Sequence, residues 1–423
     1  MSKKDHLISA DAARRARVVG SVYLHVLASS VLVTIIGLAA LAGVRIQTRG
    51  ARRARDYAEA RSSAVSAVEL GLWFVAQDPN WRSTWANGAW LSDKTLGHAT
   101  FTLEGTDPRD GDLADSPYEP LVLTGLGTKG IARHKTQVTL VPVIEPLELL
   151  NTCCHAAGML QIKGGKAITA VGAPISTNGI LDNDEIIDGD AEAAGTADMK
   201  IITGTLTVPA PAKAMPDAGV ITDYANRATA LPALAAIDKA VLTPTSNPWG
   251  TTDANGLYFM DTLGHDLTIR NSRIHGTLLI RTGAGKKVII DNAVFIQNYR
   301  SDCPVLIVDG SLEIKNNSCD YPLSETSCDT NFNPVGAPYE GESDEDALDE
   351  YPNEIRGLVH ATGYLKLFDN ARIRGAVVCE DAATVEGTNT IIHDPDLYTS
   401  PPEGYTYVQR MQISPGSWKQ VVD

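Results

Sequence analysis

The segment from Val18 to Val44 is an apolar run with arginines on both sides, and it constrains the fold of this 423-residue chain more than any other feature. A run of 18 or more apolar residues is long enough to cross the ~30 Å hydrocarbon core of a membrane as a helix. His25 is its only residue that could become charged near neutral pH. The run therefore predicts a membrane anchor, or a helix through which the chain assembles.

The helical pattern continues beyond the apolar run. No proline interrupts the chain before Pro79, and apolar residues recur at helical spacing at Ala58, Val65, Val68, Leu72 and Val75. These features predict one helix from about Ser21 to Gln77, roughly 85 Å long at ~1.5 Å per residue. Its second half is amphipathic, so we expect its apolar stripe to pack on a folded head.

A hydrophobic helix that continues into an amphipathic one resembles the N-terminus of type IV pilins. Gly20-Ser21-Val22-Tyr23-Leu24 resembles a prepilin peptidase site, which implies a leader at 1–20 and cleavage between Gly20 and Ser21. Val31–Ala40 is similar to the core of the pilin helix, and Ala60–Leu72 to PilX-like minor pilins and K-type pseudopilins. The resemblance covers about residues 14–77.

His25 departs from the pattern of major pilins, which carry Glu at the fifth position after the cleavage site. K-type pseudopilins also lack that Glu, so the resemblance implies a minor or tip subunit. Lysines and arginines at both ends leave the orientation undecided. The resemblance implies an inner-membrane anchor with the head in the periplasm, on the cell surface or in an extracellular filament. The alternative is a generic signal anchor without a filament.

The composition narrows the range of partners. The net charge is −15 although the anchor region is basic, so the head is strongly acidic. Nucleic-acid binding is excluded, since its affinity comes largely from Lys and Arg on phosphates. Six cysteines all follow residue 150. Cys319 and Cys328 bracket a short turn-rich segment and are the candidate disulfide, although six cysteines allow 15 complete pairings.

Residues 81–148 are predicted to form a small pilin-like head. Ala99–Leu103, Pro120–Leu123 and Ile131–Val143 have the character of strands. Three such strands beside a long helix predict an antiparallel sheet that covers the helix's apolar stripe.

Four aspartates between the first two of these strands form a candidate metal site. Asp107, Asp110, Asp112 and Asp115 surround Gly111. Carboxylate oxygens in a sharp turn suit Ca²⁺, which takes six to eight oxygen ligands. The alternative is a solvated turn, because Asp and Gly are common turn residues. The resemblance to pseudopilins adds to this argument, because some pseudopilin heads hold calcium in such a loop.

From about 149 to 400 the pattern changes to short alternating strands separated by Gly, Asn and Asp, typical of a parallel β-helix. The segment Asn271-Ser-Arg-Ile-His-Gly is echoed by Asn370-Ala-Arg-Ile-Arg-Gly. Rungs such as Gly357–Phe368 resemble those of polymer-forming bactofilins, and a β-sandwich remains the alternative. Insertions are predicted near 210–248, with a helix at Asp223–Asp238, and near 316–355. Residues 401–423 are predicted to be a C-terminal tail with one strand.

The sequence thus predicts a mainly β protein: one long N-terminal α-helix with a small antiparallel sheet, then a right-handed parallel β-helix. The predicted function is non-enzymatic, with the helix in a membrane or a type IV filament and the β-helix displayed outside for adhesion or assembly. The predicted partners are the membrane, other pilins or pseudopilins, and a surface polysaccharide; calcium is the only candidate cofactor. A membrane-anchored polysaccharide lyase or hydrolase is the alternative, and its candidate residues are Asp266, Arg270, Asp291, Asp369, Arg372 and Arg374.

Overall fold

The structure is a computed structural model that describes residues 5–164, 167–198, 200–316 and 321–421, with side chains described from Val22 onward. The chain divides into two compact units. The first comprises residues 1–143 and 408–423, and the second comprises residues 144–407.

The first unit begins with one unbroken helix, α1, at Asp5–Gln77. The part from Val22 is long and apolar enough to cross a membrane, with a mean hydropathy of 2.3 in its most apolar stretch. Every large apolar side chain from Val22 to Ile46 is at least half exposed. The hydroxyls of Ser29, Ser30 and Thr34 donate to backbone carbonyls three or four residues earlier, so they are satisfied within the helix. The predicted long helix is confirmed.

An antiparallel sheet covers the C-terminal half of α1. A short helix, α2, at Trp81–Thr84 leads into it. Its first strands are β1 (Gly88–Leu96), β2 (Ala99–Thr106), β3 (Leu121–Lys129) and β4 (Ala132–Pro146), paired in sequence order. Residues 88–146 supply four strands to this sheet, one more than the three predicted there, because β1 pairs with β2 through a short turn at Gly97.

The predicted C-terminal tail contributes to this same sheet. Two strands, Thr406–Ile413 and Lys419–Val421, both pair with β4. The second pairs antiparallel, with Gln420 opposite Thr136. The polar sequence of residues 401–423 indicates an exposed segment. A polar segment can still form an edge strand, because such a strand needs only one covered face. Here the free edge of β4 supplies its hydrogen-bonding partners.

The second unit starts with a short 3₁₀-helix at Glu148–Asn151 and a first run of parallel strands. These strands are β5 (Cys154–Ala156), β6 (Leu160–Lys163), β7 (Ala167–Val171), β8 (Ile175–Thr177), β9 (Leu181–Asn183), β10 (Ile186–Asp188), β11 (Ala191–Ala193), β12 (Ile201–Ile202) and β13 (Leu206–Thr207). The strands β5 to β8 each pair with the strand three positions later, as β5 with β8, so three short strands make one rung. At the end of this run the spacing shortens, and β10 and β11 pair with β12 and β13.

A second run of rungs follows the helix α3 at Gly219–Arg227. Its elements are β14 (Thr229–Leu231), β15 (Ala236–Asp238), β16 (Val241–Leu242), β17 (Leu257–Asp261), β18 (Leu267–His275), β19 (Thr277–Arg281), β20 (Lys287–Gln297), β21 (Leu306–Asp309), β22 (Ser311–Asn316), β23 (Leu323–Ser324), α4 (Glu325–Cys328), β24 (Glu350–Tyr351), β25 (Glu354–Ala361), β26 (Leu365–Phe368), β27 (Arg372–Cys379), β28 (Ala383–Glu386), β29 (Asn389–Ile392) and α5 (Asp396–Thr399). The strands β23 and β24 pair antiparallel, in an excursion between β22 and β25.

The last rung of the second run pairs with the first rung of the first run. Val377 lies opposite Cys154, and Thr390 lies opposite Thr169. Both runs therefore form one parallel sheet that winds around a single apolar core. The strands β5–β7 are interior strands of this sheet, because they have a neighbour on each side. The parallel pairing confirms the predicted β-helix architecture and removes the β-sandwich alternative.

The structure corrects two predictions made from the sequence of the β-helix. The region 210–248 is only partly an insertion, because it contains the three strands β14–β16. The helix predicted at Asp223–Asp238 is wrong beyond Arg227, where Leu231 and Ile237 turn into the core as strand residues. The echoed segments behave as expected: Asn271 and Asn370 both have positive φ, the left-handed conformation that tight corners need.

Candidate assembly helix and candidate metal centre

The helix α1 and strand β3 approach each other closely through small residues. Ala60, Ala64 and Ala67 are fully buried on one side of α1. Gly125 and Gly127 face them from β3. A Cβ atom would lie 2.1 Å from the carbonyl oxygen of Ala64 at Gly125, and 1.9 Å from that of Ala60 at Gly127. The contact is therefore backbone against backbone, and only glycine fits.

A polar pair formed by the buried His134 and the exposed Tyr57 also joins α1 to the sheet. The Nδ1 atom of His134, on β4, is 3.1 Å from the hydroxyl of Tyr57 on α1. Burial, together with the charge of Arg61, lowers the pKa of His134 below its usual value. Glu59 on α1 pairs with Lys129 on β3 at 3.2 Å. The C-terminal half of α1 is thus attached to the sheet, while its half from Val22 to Ile46 is exposed.

The predicted processing site lies at the edge of the described side chains. Gly20 and Ser21 are within the helical backbone of α1, but their side chains lie outside the described residues. Cleavage after Gly20 stays a prediction.

A cluster of four carboxylates occupies the loop between β2 and β3. Asp107, Asp110, Asp115 and Glu119 each offer one oxygen, and these oxygens all lie within 4.8 Å of one another. Three of the four predicted aspartates are therefore brought together. Asp112 is not in the group; its Oδ1 accepts a hydrogen bond from the backbone N–H of Ala114 at 3.0 Å. Glu119 stands in its place.

Two carboxylate oxygens in this cluster are buried without a hydrogen-bond partner. They are Oδ2 of Asp107, a residue 6% exposed, and Oε2 of Glu119, which is 8% exposed. The other Asp107 oxygen accepts from the backbone N–H of Arg109 at 2.6 Å. A buried oxygen without a partner is costly. A cation bound between the two carboxylates would remove that cost.

The cluster is only partly neutralised. Arg109 pairs with Oε1 of Glu119 at 3.3 Å. The guanidinium of Arg82 donates instead to the backbone carbonyls of Leu113 and Glu119. Burial and the neighbouring Asp107 raise the pKa of Glu119, and burial and Asp110 raise that of Asp115. Both shifts have the same physical cause, since burial and repulsion between neighbouring carboxylates disfavour their charged forms.

The structure adds Glu119 to the candidate site. Ser116-Pro-Tyr separates it from the Asp-rich segment, so it lies outside the short motif that the sequence shows. Its only sequence signal is its position just before the buried residue Leu121 of β3, which fixes it at the base of the loop.

The predicted disulfide is not tested. Cys328 is buried at the end of α4, whereas Cys319 lies outside the described residues. Cys153, Cys154, Cys303 and Cys379 are buried as free thiols. Burial raises the pKa of Cys153 and of Cys303 to about 11 in each case, which makes both thiols poor nucleophiles.

Four of the six residues named for the enzyme alternative have structural roles in the β-helix. Arg270 pairs with Asp238 on the neighbouring rung at 2.9 Å, and Arg372 pairs with Glu354 at 3.1 Å. Asp266 accepts a hydrogen bond from the backbone N–H of Lys287. Asp369 has positive φ and occupies a corner. These contacts join adjacent rungs and corners of the β-helix.

No family model matches the sequence, and no curated protein is similar to it. Among solved structures, the competence-associated pilin ComZ from Thermus thermophilus aligns over 86% of this chain and 98% of its own, with 10% identity and a TM-score of 0.24. An ice-binding protein from the Antarctic ascomycete Antarctomyces psychrotrophicus aligns over 59% of this chain and 98% of its own, with 11% identity and a TM-score of 0.27. A second ice-binding protein, from an Antarctic Biological Consortium, aligns over 58% of this chain and 90% of its own, with 13% identity and a TM-score of 0.26.

Proposed function

We propose that this chain is a pilin-like protein of the cell envelope that uses α1 for anchoring and assembly and carries a β-helix outside the membrane. One observation carries the proposal. A single unbroken helix has an exposed apolar stretch from Val22 to Ile46 and a C-terminal half packed on an antiparallel sheet. An exposed stripe of this length is unfavourable in water, because each large apolar side chain contributes roughly 1.5–3 kcal/mol when it is buried.

Two surroundings would bury this half of α1: a lipid bilayer before assembly, and the helices of other pilins or pseudopilins inside a filament. The hydroxyls of Ser29, Ser30 and Thr34 suit both, because they already donate within the helix and need no water. His25 in place of the Glu of major pilins supports a minor or tip position.

The β-helix is the part that would be displayed. Its core is continuous and its surface is acidic overall, as the net charge of −15 with a basic anchor requires. We propose a non-enzymatic role for it in adhesion or assembly, with a surface polysaccharide as the candidate ligand. Its short strands with charged corner residues offer a surface on which such a ligand could bind.

The processing of the N-terminus tests the proposal. The full chain is expressed with a prepilin peptidase, extracted from membranes and analysed by intact mass spectrometry. We expect an N-terminus at Ser21, with a methyl group, and recovery in the membrane fraction. The variant Gly20→Leu should keep Met1, whereas the matched variant Gly37→Leu, the same change within the apolar run, should be cleaved normally.

Retention of Met1 in the parent chain, or cleavage at a distant position, would contradict the pilin-like assignment. Membrane recovery with an uncleaved leader would leave the signal anchor as the correct description.

We also propose calcium as the ligand of the carboxylate cluster in the loop between β2 and β3. The unpartnered oxygens of Asp107 and Glu119 support it, since a hard cation with oxygen ligands would satisfy both. Calcium would then hold the 107–119 loop closed on the sheet. Titration of the detergent-solubilised full chain with Ca²⁺ tests this assignment.

A further inference from the structure

Three arginines lie together on the outer face of two neighbouring strands of the β-helix. Arg356 of β25 and Arg374 of β27 are paired in register, and Arg372 lies two residues before Arg374 on the same strand. Paired strands are about 4.8 Å apart, so the like charges of Arg356 and Arg374 repel each other. An anion bound between the two guanidinium groups would remove that repulsion.

A single buried carboxylate compensates part of this positive charge. Glu354 is 3% exposed, and its Oε1 accepts a hydrogen bond from Nε of Arg356. Its Oε2 lies 3.1 Å from Nε of Arg372, an ion pair without hydrogen-bond geometry, so that this Nε is buried without a hydrogen-bond partner. Arg374 is exposed, and within the described part of the chain it forms no ion pair. Three arginines against one glutamate leave two positive charges in excess on a strongly acidic head.

The cluster lines a surface cavity beside the excursion between β22 and β25. The cavity has a volume of about 230 Å³, and Pro322 and Pro352 of the excursion form part of its wall. Among the described residues that line it, Glu354 is the only carboxylate. The guanidinium of Arg356 is held in place by a second contact, 5.0 Å from the ring centroid of Phe295. The cavity thus presents guanidinium groups of which one is fixed before any ligand binds.

Beyond the arginines, the same outer face continues with hydroxyl groups. Thr390 of β29 lies opposite Arg372, and Thr169 of β7 lies opposite Thr390 on the next strand. Both threonines are half-buried, and a hydroxyl can donate and accept hydrogen bonds. Neighbouring strands place these three side chains in a line at steps of about 4.8 Å. A line of one cation and two hydroxyls suits a chain of sugars that carries a carboxylate more than it suits a free ion.

From this arrangement we infer that the cavity binds a carboxylate of an acidic polysaccharide between Arg356 and Arg374, and that the sugar chain continues past Thr390 and Thr169. The planar guanidinium matches the two oxygens of a carboxylate. The inference rests on the proposed display of the β-helix outside the membrane, and it gives the polysaccharide ligand a chemical class and a place. Because the chain has a net charge of −15, most of its surface repels a polyanion, so binding depends on this local cluster.

Binding of a fluorescently labelled oligogalacturonate to the full chain in detergent tests the inference, with labelled dextran as the neutral sugar. Fluorescence anisotropy should show saturable binding of the oligogalacturonate that weakens as the salt concentration rises, and no binding of dextran. Arg374→Gln should weaken binding at least about tenfold, since it removes hydrogen bonds between charged groups, and should leave the Tm unchanged. Arg374→Lys should also weaken binding, because it keeps the charge but loses the planar fork.

The matched control is Arg133→Gln, the same change at an exposed arginine of β4 in the first unit, and it should leave binding unchanged. Equal affinity of the parent chain and Arg374→Gln, or equal binding of dextran, would overturn the inference. Full affinity of Arg374→Lys would overturn the two-oxygen contact, and free galacturonate that binds as tightly as the oligomer would overturn the assignment to a polysaccharide. None of these results bears on cleavage after Gly20, which tests the pilin-like assignment separately.

Discussion

At the residue scale, the candidate metal site in the 107–119 loop depends on which carboxylates lie close together. Asp112 and Glu119 differ in this respect: Asp112 is exposed and caps a turn, while Glu119 is buried beside Asp107. Burial and the neighbouring Asp107 raise the pKa of Glu119 above its usual 4.5. A carboxyl whose pKa is raised on folding favours the folded state at acid pH, and that contribution is lost as the pH rises through the raised value.

Calcium should therefore stabilise the parent chain at pH 7 and lose its effect as the pH falls toward the raised pKa values of Glu119 and Asp115. Thermal unfolding with CaCl₂ or EGTA measures this, and the Tm should differ by several degrees, since about 1 kcal/mol shifts the Tm of a unit this size by ~2–4 °C. Glu119→Gln should raise the Tm in EGTA and abolish the calcium increment. Asp112→Asn should preserve the increment, and the opposite result would return the site to the four-aspartate set.

At the element scale, α1 is held to the sheet by close backbone contact more than by large side chains. The sequence shows the alanines of α1 and their spacing, but it does not show that Gly125 and Gly127 of β3 lie against them. Glycine in a strand interior weakens the strand by itself, so its presence usually marks a close approach. Here the two glycines let the backbone of α1 lie directly on β3, so that the carbonyls of Ala60 and Ala64 contact the strand.

Gly127→Val should detach α1 from the sheet, because its Cβ would meet the helix backbone, which cannot move aside. Overpacking of a core costs about 1–3 kcal/mol, and we expect at least the upper end of that range. Urea unfolding followed by tryptophan fluorescence is a suitable measurement, since Trp81 and Trp90 are buried in the apolar cluster between α1 and the sheet. Thr128→Val is the control, because its side chain lies on the other face of β3. An equal urea midpoint for the two variants would contradict the role given to Gly127.

At the scale of the whole molecule, the β-helix is assembled from two runs that are distant in sequence. The rung β27–β29 pairs with β5–β7, although more than 200 residues separate Ile391 from its neighbour Ala170 along the chain. The first run therefore has no free start, because its first rung is covered by the last rung of the second. We expect the two runs to unfold as one cooperative structure at this junction.

Ile391→Ala should test that cooperativity. Ile391 is fully buried, so the truncation should cost about 2–5 kcal/mol. Hydrogen exchange should accelerate in β5–β7 as well as in β29, and less in β11 and β12 at the far end of the first run. Ile392→Ala, at a half-buried position with its side chain on the other face, is the control. An effect confined to β28 and β29 would show that the runs are independent.

The sequence by itself determined the features that local patterns encode. The apolar run, the helix to Gln77, the alternating strands and the Asn corners at Asn271 and Asn370 all follow from periodicity and from backbone preferences of single residues. Only the tertiary structure decided which distant segments meet: β29 beside β7, Thr406–Ile413 beside β4, Glu119 beside Asp107. The reason is physical. Strand partners and buried carboxylates are selected by the packing of the whole chain, and a strand's own sequence fixes its buried face but not its neighbour.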